Sequence, residues 1–410
     1  MSPYLCGYRK GYNAQYALVS MIEKWKKSLD CIDGKIGAVF MDLSKAFDTI
    51  NHELLVAKLH AYGFSDSGLH IILDYLSDRW QRTKVNASFS DWLELLCGVP
   101  QGSVLGPLLF NIYINDLFYL FLNTDVCNFA DDTSLYACDI KLEDLIHNLE
   151  DDTLSAILWF EANYMKLNQG KCHFITSGSR EHLWIKVGDE WIWESRSEKL
   201  LGVTVDKDLN FNVHLSQVCK KASQKVSALA RATRILPFNK RRIILKTFIE
   251  SQFSYCPLVW MFCSRKMNGK LNYIHERALR LVYSDYVSSF TALLRMDKSF
   301  LFHHKNIHNV AIEMYKVKKD LCPSFMKEIF IYNEATGKFI RPNVRRVDTG
   351  EKSLRSFGPI IWNTMLPDKI KSSPNINVFK AALQSWIPDN CRCKLCQIFV
   401  PNLGYVELFE

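Results

Sequence analysis

Cys127-Asn128-Phe129-Ala130-Asp131-Asp132-Thr133-Ser134-Leu135-Tyr136 decides how the chain folds. Two adjacent carboxylates interrupt an apolar, β-prone run. Val126, Phe129, Leu135 and Tyr136 favour a half-buried strand on either side, whereas Asp131 and Asp132 are turn formers. The reading is a tight strand–turn–strand with both acids at its tip. Like charges placed together raise each other's energy unless a cation neutralises them, and hard oxygen ligands suit Mg²⁺. A solvated Asp-Asp turn on a surface hairpin is the plainer alternative, and the stretch alone leaves both open.

Outward from the hairpin, two further pieces carry the same kind of chemistry. Residues 36–42, Ile-Gly-Ala-Val-Phe-Met-Asp, read as a buried strand that ends on a carboxylate, where Asp42 needs a partner or a job. Asp48 follows, as a helix cap, a surface acid or part of the same site. Asn51 then caps a helix that Gly63 stops. Gly98-Val99-Pro100-Gln101-Gly102-Ser103 is a loop whose Gly and Pro allow close backbone approach to a ligand. It leads into a helix with Leu105, Leu108, Leu109, Ile112 and Tyr113 on its apolar side. Between these pieces lies a candidate hairpin with arms Gln81–Asn86 and Trp92–Cys97 and a turn over residues 87–91. After the Asp pair the pattern predicts a helix over residues 142–165 with Leu145, Leu149, Leu154 and Leu158 apolar. A turn at Asn168-Gln169-Gly170-Lys171, a strand at residues 173–175, a hairpin about Gly188-Asp189 and a short strand at residues 200–205 follow. Near the N-terminus, Gly7-Tyr8-Arg9-Lys10-Gly11 is a basic, glycine-flanked turn; Arg9 and Lys10 fit phosphate binding or an ordinary surface role.

The 410 residues, 48 % hydrophobic and 23 % charged, describe a globular chain with two or three domains. No apolar run reaches membrane-spanning length and the first residues lack a signal-peptide core, so the chain reads as intracellular, in nucleus or cytoplasm, without membrane contact. Thirteen cysteines without framework spacing fit a reducing compartment, and Cys391, Cys393 and Cys396 are better read as free thiols than as a zinc site. Net charge is +8, concentrated in one block: between Cys219 and Val282 stand 14 Lys and Arg against only Glu250 and Glu276. A basic helical block beside a slightly acidic remainder suggests a polyanionic partner, with Lys220, Lys221, Lys225, Arg231, Arg234, Arg241 and Arg242 as candidate phosphate contacts; a solvated helical face is the alternative.

In this order and spacing, Phe40-Met41-Asp42-Leu43-Ser44-Lys45-Ala46-Phe47-Asp48, then Gly98 through Pro107, then Phe129-Ala130-Asp131-Asp132 resemble motifs A, B and C of reverse transcriptases, in particular those of non-LTR (LINE-type) retrotransposons of the jockey and CR1 kind. Asn168–Lys171 resembles motif D, Leu201-Gly202-Val203 motif E, and Cys6–Gly11 the end of the fingers motifs. The resemblance implies an α+β right-hand polymerase: partial fingers over residues 1–34, palm over 35–206, a basic helical thumb over 207–290 and a mostly helical C-terminal region over 291–410. It implies an RNA-directed DNA polymerase working by two-metal nucleotidyl transfer onto a primer 3′-hydroxyl. Asp42, Asp131 and Asp132 would be the catalytic metal ligands for two Mg²⁺ ions, with Mn²⁺ as the alternative. Phe47 would exclude a 2′-hydroxyl, Gln101 and Gly102 would hold the incoming nucleotide together with Arg9, and Lys171 would be the candidate proton donor. An RNA template, a DNA primer or target and deoxynucleoside triphosphates are the implied partners. Upstream fingers motifs and an endonuclease domain are missing from the pattern, so the expectation is a truncated element copy or partial gene model. The competing readings are a catalytically inactive nucleic-acid-binding remnant and a palm-like nucleotide cyclase; the Pro-Gln-Gly loop and the basic block argue against the cyclase.

Overall fold

The computed structural model describes residues 1–388; Cys391, Cys393 and Cys396 lie outside the described residues. The chain is α+β and divides into two compact units. The first is Met1–Ala17 with Gly34–Ser195, and the second is Leu18–Asp33 with the chain from Arg196 onward.

The first unit is built on a four-stranded antiparallel sheet in the order His173–Ser177, Lys35–Met41, Asp132–Asp139, Asp125–Phe129. Lys35–Met41 is central and buried from Ile36 to Met41, which explains its unbroken apolar sequence. The helix Leu142–Ala162 covers one face through Leu145 and Leu149, both fully buried. It approaches so closely that a Cβ on Gly37 would stand 2.6 Å from Leu149 Cδ1. Each such leucine contributes about 1.5–3 kcal/mol by leaving water, so the sheet–helix sandwich is the rigid part of this unit. Its core also takes in Phe110, Tyr113 and Leu117 from the helix Gly106–Ile114 and the turn after it, and Ile185 and Val187.

Several local expectations change. Leu105 and Leu108 are outward-facing at 37 % and 44 % exposure, and Phe110 takes the buried place instead. In the long helix, Leu154 and Leu158 also face out. The hairpin at residues 80–94 turns earlier than the spacing predicts: Lys84–Val85 pairs with Ser88–Phe89 about Asn86-Ala87. Asn86 adopts φ +53°, a left-handed conformation that asparagine tolerates. Residues 200–205 are a hairpin rather than one strand, Ser197–Leu200 pairing with Val203–Asp206. Leu201 and Gly202 both have positive φ there, as a tight two-residue turn requires.

The second unit is mainly helical. Asn212–Ala232 packs along Arg265–Tyr283; Leu215, Ala222, Val226 and Leu229 are buried on the first helix and Leu271, Ile274 and Ala278 on the second. Phe302–Lys318 is buried around most of its circumference. The Leu18–Asp33 segment closes this unit with buried acids: Glu23 accepts from the Leu354 and Arg355 amides, and Asp30 from the Arg345 and Arg346 amides and the Arg355 guanidinium. Lys26 is buried against the Lys352 carbonyl at 2.7 Å, and burial lowers its ammonium to about 8. Among the described residues, no helix is long and apolar enough to cross a membrane, and all ten cysteines are free.

Candidate active site

The strand–turn–strand forms about the acid pair, but only Asp131 lies in the turn, and Asp132 opens the second strand. Asp125–Phe129 and Asp132–Asp139 are joined by the two-residue turn Ala130-Asp131, with Phe129 opposite Asp132. Ala130 has φ +60°, a conformation that costs an L-residue about 1–2 kcal/mol. The surrounding chain holds it there. Asn128, fully buried, donates its side-chain amide to the Ala130 carbonyl at 2.9 Å and to Thr133 Oγ1 at 2.9 Å. From the other side, the Cys6 amide donates to the Asn128 carbonyl at 3.2 Å, and Asn111 ties down the Gly7 carbonyl at 2.9 Å. Gly7 lies against the turn: a Cβ there would fall 2.4 Å from the Ala130 nitrogen and 3.0 Å from its Cα. The turn therefore rests on backbone that only glycine provides.

Asp42 reaches the same place by register. Met41 pairs with Thr133, so the next residue, Asp42, comes opposite Asp132. Its backbone is anchored from below, where its carbonyl accepts the Asn168 amide at 2.8 Å, and Leu43–Ser44 pairs with Lys166–Leu167. The three acids feel one another. The Asp132 carboxyl is raised above its ordinary range by burial, then by the charges of Asp131 and Asp42. Lys171 reaches in with its ammonium 3.5 Å from Asp42 Oδ2. Tyr8 is raised by burial and by Asp131. Three hard-oxygen carboxylates in one field, with one ammonium as partial compensation, match the donor chemistry of a hard divalent cation. As the side chains stand, no three His, Cys, Asp or Glu among the described residues close around a point that could hold an ion.

The Gly98–Ser103 loop is fastened to the segment after Asp42. Gly98 donates to the Ile50 carbonyl at 2.8 Å and Val99 to the Phe47 carbonyl at 2.9 Å, while His52 Nε2 meets the Gly98 carbonyl at 2.8 Å. Gly98, at φ +83°, lies so close to Asp48 that a Cβ would meet its backbone at 2.8 Å. Pro100–Ser103 closes a turn with Gly102 at φ +81°, the third position of a type II turn. Gln101 donates to Asp48 Oδ1 at 2.8 Å from an exposed position. Phe47 is half-buried, its ring stacked on Phe110 at 4.4 Å between centroids and met edge-on by Tyr8 at 6.1 Å.

Residues 1–205 match the family model described as reverse transcriptase (RNA-dependent DNA polymerase). The chain belongs to the reverse transcriptase family. Among curated relatives, it is 25 % identical over 293 residues to the probable RNA-directed DNA polymerase from transposon BS of Drosophila melanogaster, covering 67 % of this chain and 32 % of that protein. To the RNA-directed DNA polymerase from mobile element jockey of the same fly it is 24 % identical, covering 62 % and 29 %. These relatives make it homologous to the non-LTR retrotransposon enzymes, and the chain spans about a third of their length. Among solved structures, apo telomerase from Candida tropicalis aligns at a TM-score of 0.40 and 12 % identity, over 72 % of this chain and 51 % of that one.

In this member of the family the structure brings together Asp42, Asp131, Asp132 and Lys171, and it places Phe47, Gln101 and Gly102 on segments hydrogen-bonded to one another. Arg9 is turned inward, donating to the Ser2 and Leu5 carbonyls at 2.8 and 3.1 Å and lying over Tyr12. In the basic block, Lys220, Lys221, Arg231 and Arg234 are exposed and Lys225 is half-exposed. Arg241 and Arg242 have internal partners: Arg241 binds the Leu281 carbonyl and Ser284, and Arg242 pairs with the buried Asp297 at 3.2 Å. Sequence reasoning missed Gly7, Tyr8 and Asn128 as site residues. The glycine-flanked turn was the available signal for the first two. Nothing marks Asn128, whose role appears only once the hairpin is closed.

Proposed function

We propose that this chain is the RNA-directed DNA polymerase portion of a non-LTR retrotransposon, with residues 35–206 as its palm and the basic helices of 207–290 as its thumb. The observation that carries the reading is the mutual field of Asp42, Asp131 and Asp132, set on adjacent strand ends with Lys171 beside them. Mg²⁺ held by these carboxylates would activate a primer 3′-hydroxyl and stabilise the leaving pyrophosphate. The residues supply position. Asn128 and Gly7 hold the Asp131 turn at fixed height against Asp42. The Phe47 ring, braced by Phe110 and Tyr8, stands five residues after Asp42, where it would crowd a 2′-hydroxyl. The Gly102 turn and Gln101 would seat a nucleotide that templating, not side chains, selects. Lys171, whose ammonium lies 3.5 Å from Asp42, would give a proton to the departing phosphate. Lys220, Lys221, Arg231 and Arg234 would hold duplex backbone irrespective of sequence.

The test is primer extension with dTTP on an RNA homopolymer carrying an oligo(dT) primer, in Mg²⁺. Incorporation that Asp131→Asn abolishes supports the reading. Duplex binding without incorporation by a folded chain would leave a nucleic-acid-binding remnant instead.

A further inference from the structure

A hairpin on the edge of the first unit carries three exposed tryptophans. Trp184–Val187 pairs with Glu190–Trp193 in the register Trp184 to Trp193, Ile185 to Ile192 and Lys186 to Trp191. Alternation sends Ile185 and Val187 inward to full burial and leaves Trp184, Lys186, Trp191 and Trp193 together on the outer face. The indoles are 50 %, 59 % and 65 % exposed and meet edge-to-face, Trp184 being 5.4 Å from Trp193 and 6.3 Å from Trp191 between centroids. Exposing three of the most costly side chains to water on one small face calls for a partner.

The face is rigid. Ser195 donates to the Phe174 carbonyl at 2.8 Å, which locks the hairpin to the edge strand of the catalytic sheet. Lys186 is held through its amide by Glu150 at 2.9 Å. At the far end, the Gly188 turn lies under Gln169, where a Cβ would come within 2.4 Å of the side-chain amide. Gln169 is two residues from Lys171, whose ammonium lies 3.5 Å from Asp42 Oδ2. The Gly188 end of the hairpin is thus tied, within the same unit, to the segment that carries Lys171.

We propose that this face is a stacking platform for the unpaired bases of a single-stranded polynucleotide. Indole faces stack on any base, and the one charge of the outer face, Lys186, is of the sign that meets phosphate. Of the hairpin's acids, Glu190 falls in the register of the opposite face, Glu194 is taken by the Thr176 hydroxyl, and Asp189 stands in the turn at the far end. An interface for a second copy of this chain would need only apolar area, with no use for flat π faces around a single cation. The proposal rests on the polymerase reading for its choice of polyanion, but its test needs no catalysis.

Fluorescence anisotropy of labelled 12-nucleotide RNA and DNA single strands, in EDTA, compares the full chain with Trp184→Phe, Trp184→Leu and Trp193→Leu. Stacking predicts that the leucine variants lose about 5- to 150-fold in single-strand affinity per indole, that Trp184→Phe keeps most of it, and that affinity for a duplex of the same sequence is unchanged. Thermal melts should be unaltered, because the replaced side chains are half-exposed. Single-strand affinity in Trp184→Leu and Trp193→Leu unchanged from that of the parent chain would overturn the proposal, as would leucine and phenylalanine variants of Trp184 that behave alike. A dimer in sedimentation that the leucine variants dissociate would also overturn it and assign the face to a second copy. Loss of incorporation in Asp131→Asn with single-strand binding intact separates this inference from the polymerase reading.

Discussion

Gly7→Ala tests whether the height of the Asp131 turn matters for chemistry. The added methyl would fall 2.4 Å from the Ala130 nitrogen, 3.0 Å from its Cα and 3.3 Å from the Phe129 carbonyl carbon. All three are backbone atoms, so no side-chain rotation relieves the contact. Reaching an ordinary separation of about 3.5 Å requires the turn and the N-terminal segment to part by about 1 Å. The turn can yield only by stretching the bonds from Asn128 to Ala130 and Thr133, and the N-terminal segment only by straining the Cys6 and Asn111 hydrogen bonds. Overpacking of this kind costs about 1–3 kcal/mol of stability. A misplacement of about 1 Å at a reacting centre costs on the order of a hundredfold in rate, close to 2.7 kcal/mol of barrier. Single-turnover primer extension alongside circular-dichroism melts should therefore show a large loss of rate with a modest loss of stability. Gly269→Ala is the matched control: it lies inside the helix Arg265–Tyr283 with open space around it. There alanine should stabilise by about 0.5–1 kcal/mol and leave the rate alone. Extension by Gly7→Ala within twofold of the parent, with an unchanged melt, would refute the idea that this contact sets the position of Asp131.

Asp132, raised by burial and by its two acidic neighbours, is neutral in folded and unfolded chains below about pH 4, and folding loses stability as pH climbs from the unfolded to the folded value. Asp132→Asn should accordingly raise the melting temperature at pH 7 without divalent ions, with the gain vanishing in acid; a lower melting temperature at pH 7 would contradict the shared field. His214, His303 and His308, lowered to about 4 by burial, and His304, lowered well below its ordinary value by burial, take protons in the unfolded chain near pH 6.5 but resist them when folded. Stability should thus fall as pH drops from about 6.5 toward 4, by up to about 1.4 kcal/mol per pH unit per histidine, and a flat urea-denaturation profile there would show these rings already protonated in the fold. Phe47→Val should admit ribonucleotides while keeping most deoxynucleotide incorporation; loss of both together with about 1–3 kcal/mol of stability would make Phe47 merely the ring that packs on Phe110. Charge reversal of the exposed Lys220 and Lys221 should weaken RNA/DNA duplex binding and flatten its salt dependence without touching stability, and unchanged binding would move the duplex contact elsewhere.

The elements legible in the sequence were those where one local signal was enough. The apolar run ending at Asp42 became a central strand because nothing in it tolerates water, and the chain turns at Ala130-Asp131 because the acid pair breaks the apolar run there. The glycines at 98, 102 and 188 mark turns that need positive φ, and all three adopt it. Helical faces were less legible. Leu105, Leu108, Leu154 and Leu158 fit an apolar stripe as well as their buried neighbours do, and only the position of the sheet decides which side faces in.

Charge was legible as a total but not in its allocation. The excess of arginine and lysine after Cys219 stands out in composition, yet Arg242 and Lys246 are spent on neutralising Asp297 and Glu250 inside the second unit. Burial would raise Glu250, but His275, Lys305 and Lys246 outweigh it and hold the carboxyl well below its ordinary range. Asp297 lies 51 and 55 residues from its cationic partners, so no window of sequence shows the pairing. The site has the same division. Asp42 and Asp131 announce themselves as carboxylates in apolar runs, whereas Gly7 matters through a contact more than 100 residues away in the chain, where the N-terminal segment lies against the hairpin, and Asn128 through hydrogen bonds that exist only once the turn is closed. A residue whose role is to leave room, or to donate one amide to a turn, carries no chemistry of its own to read; it becomes visible when the turn it supports has a position to defend, and here that position is the distance from Asp131 to Asp42.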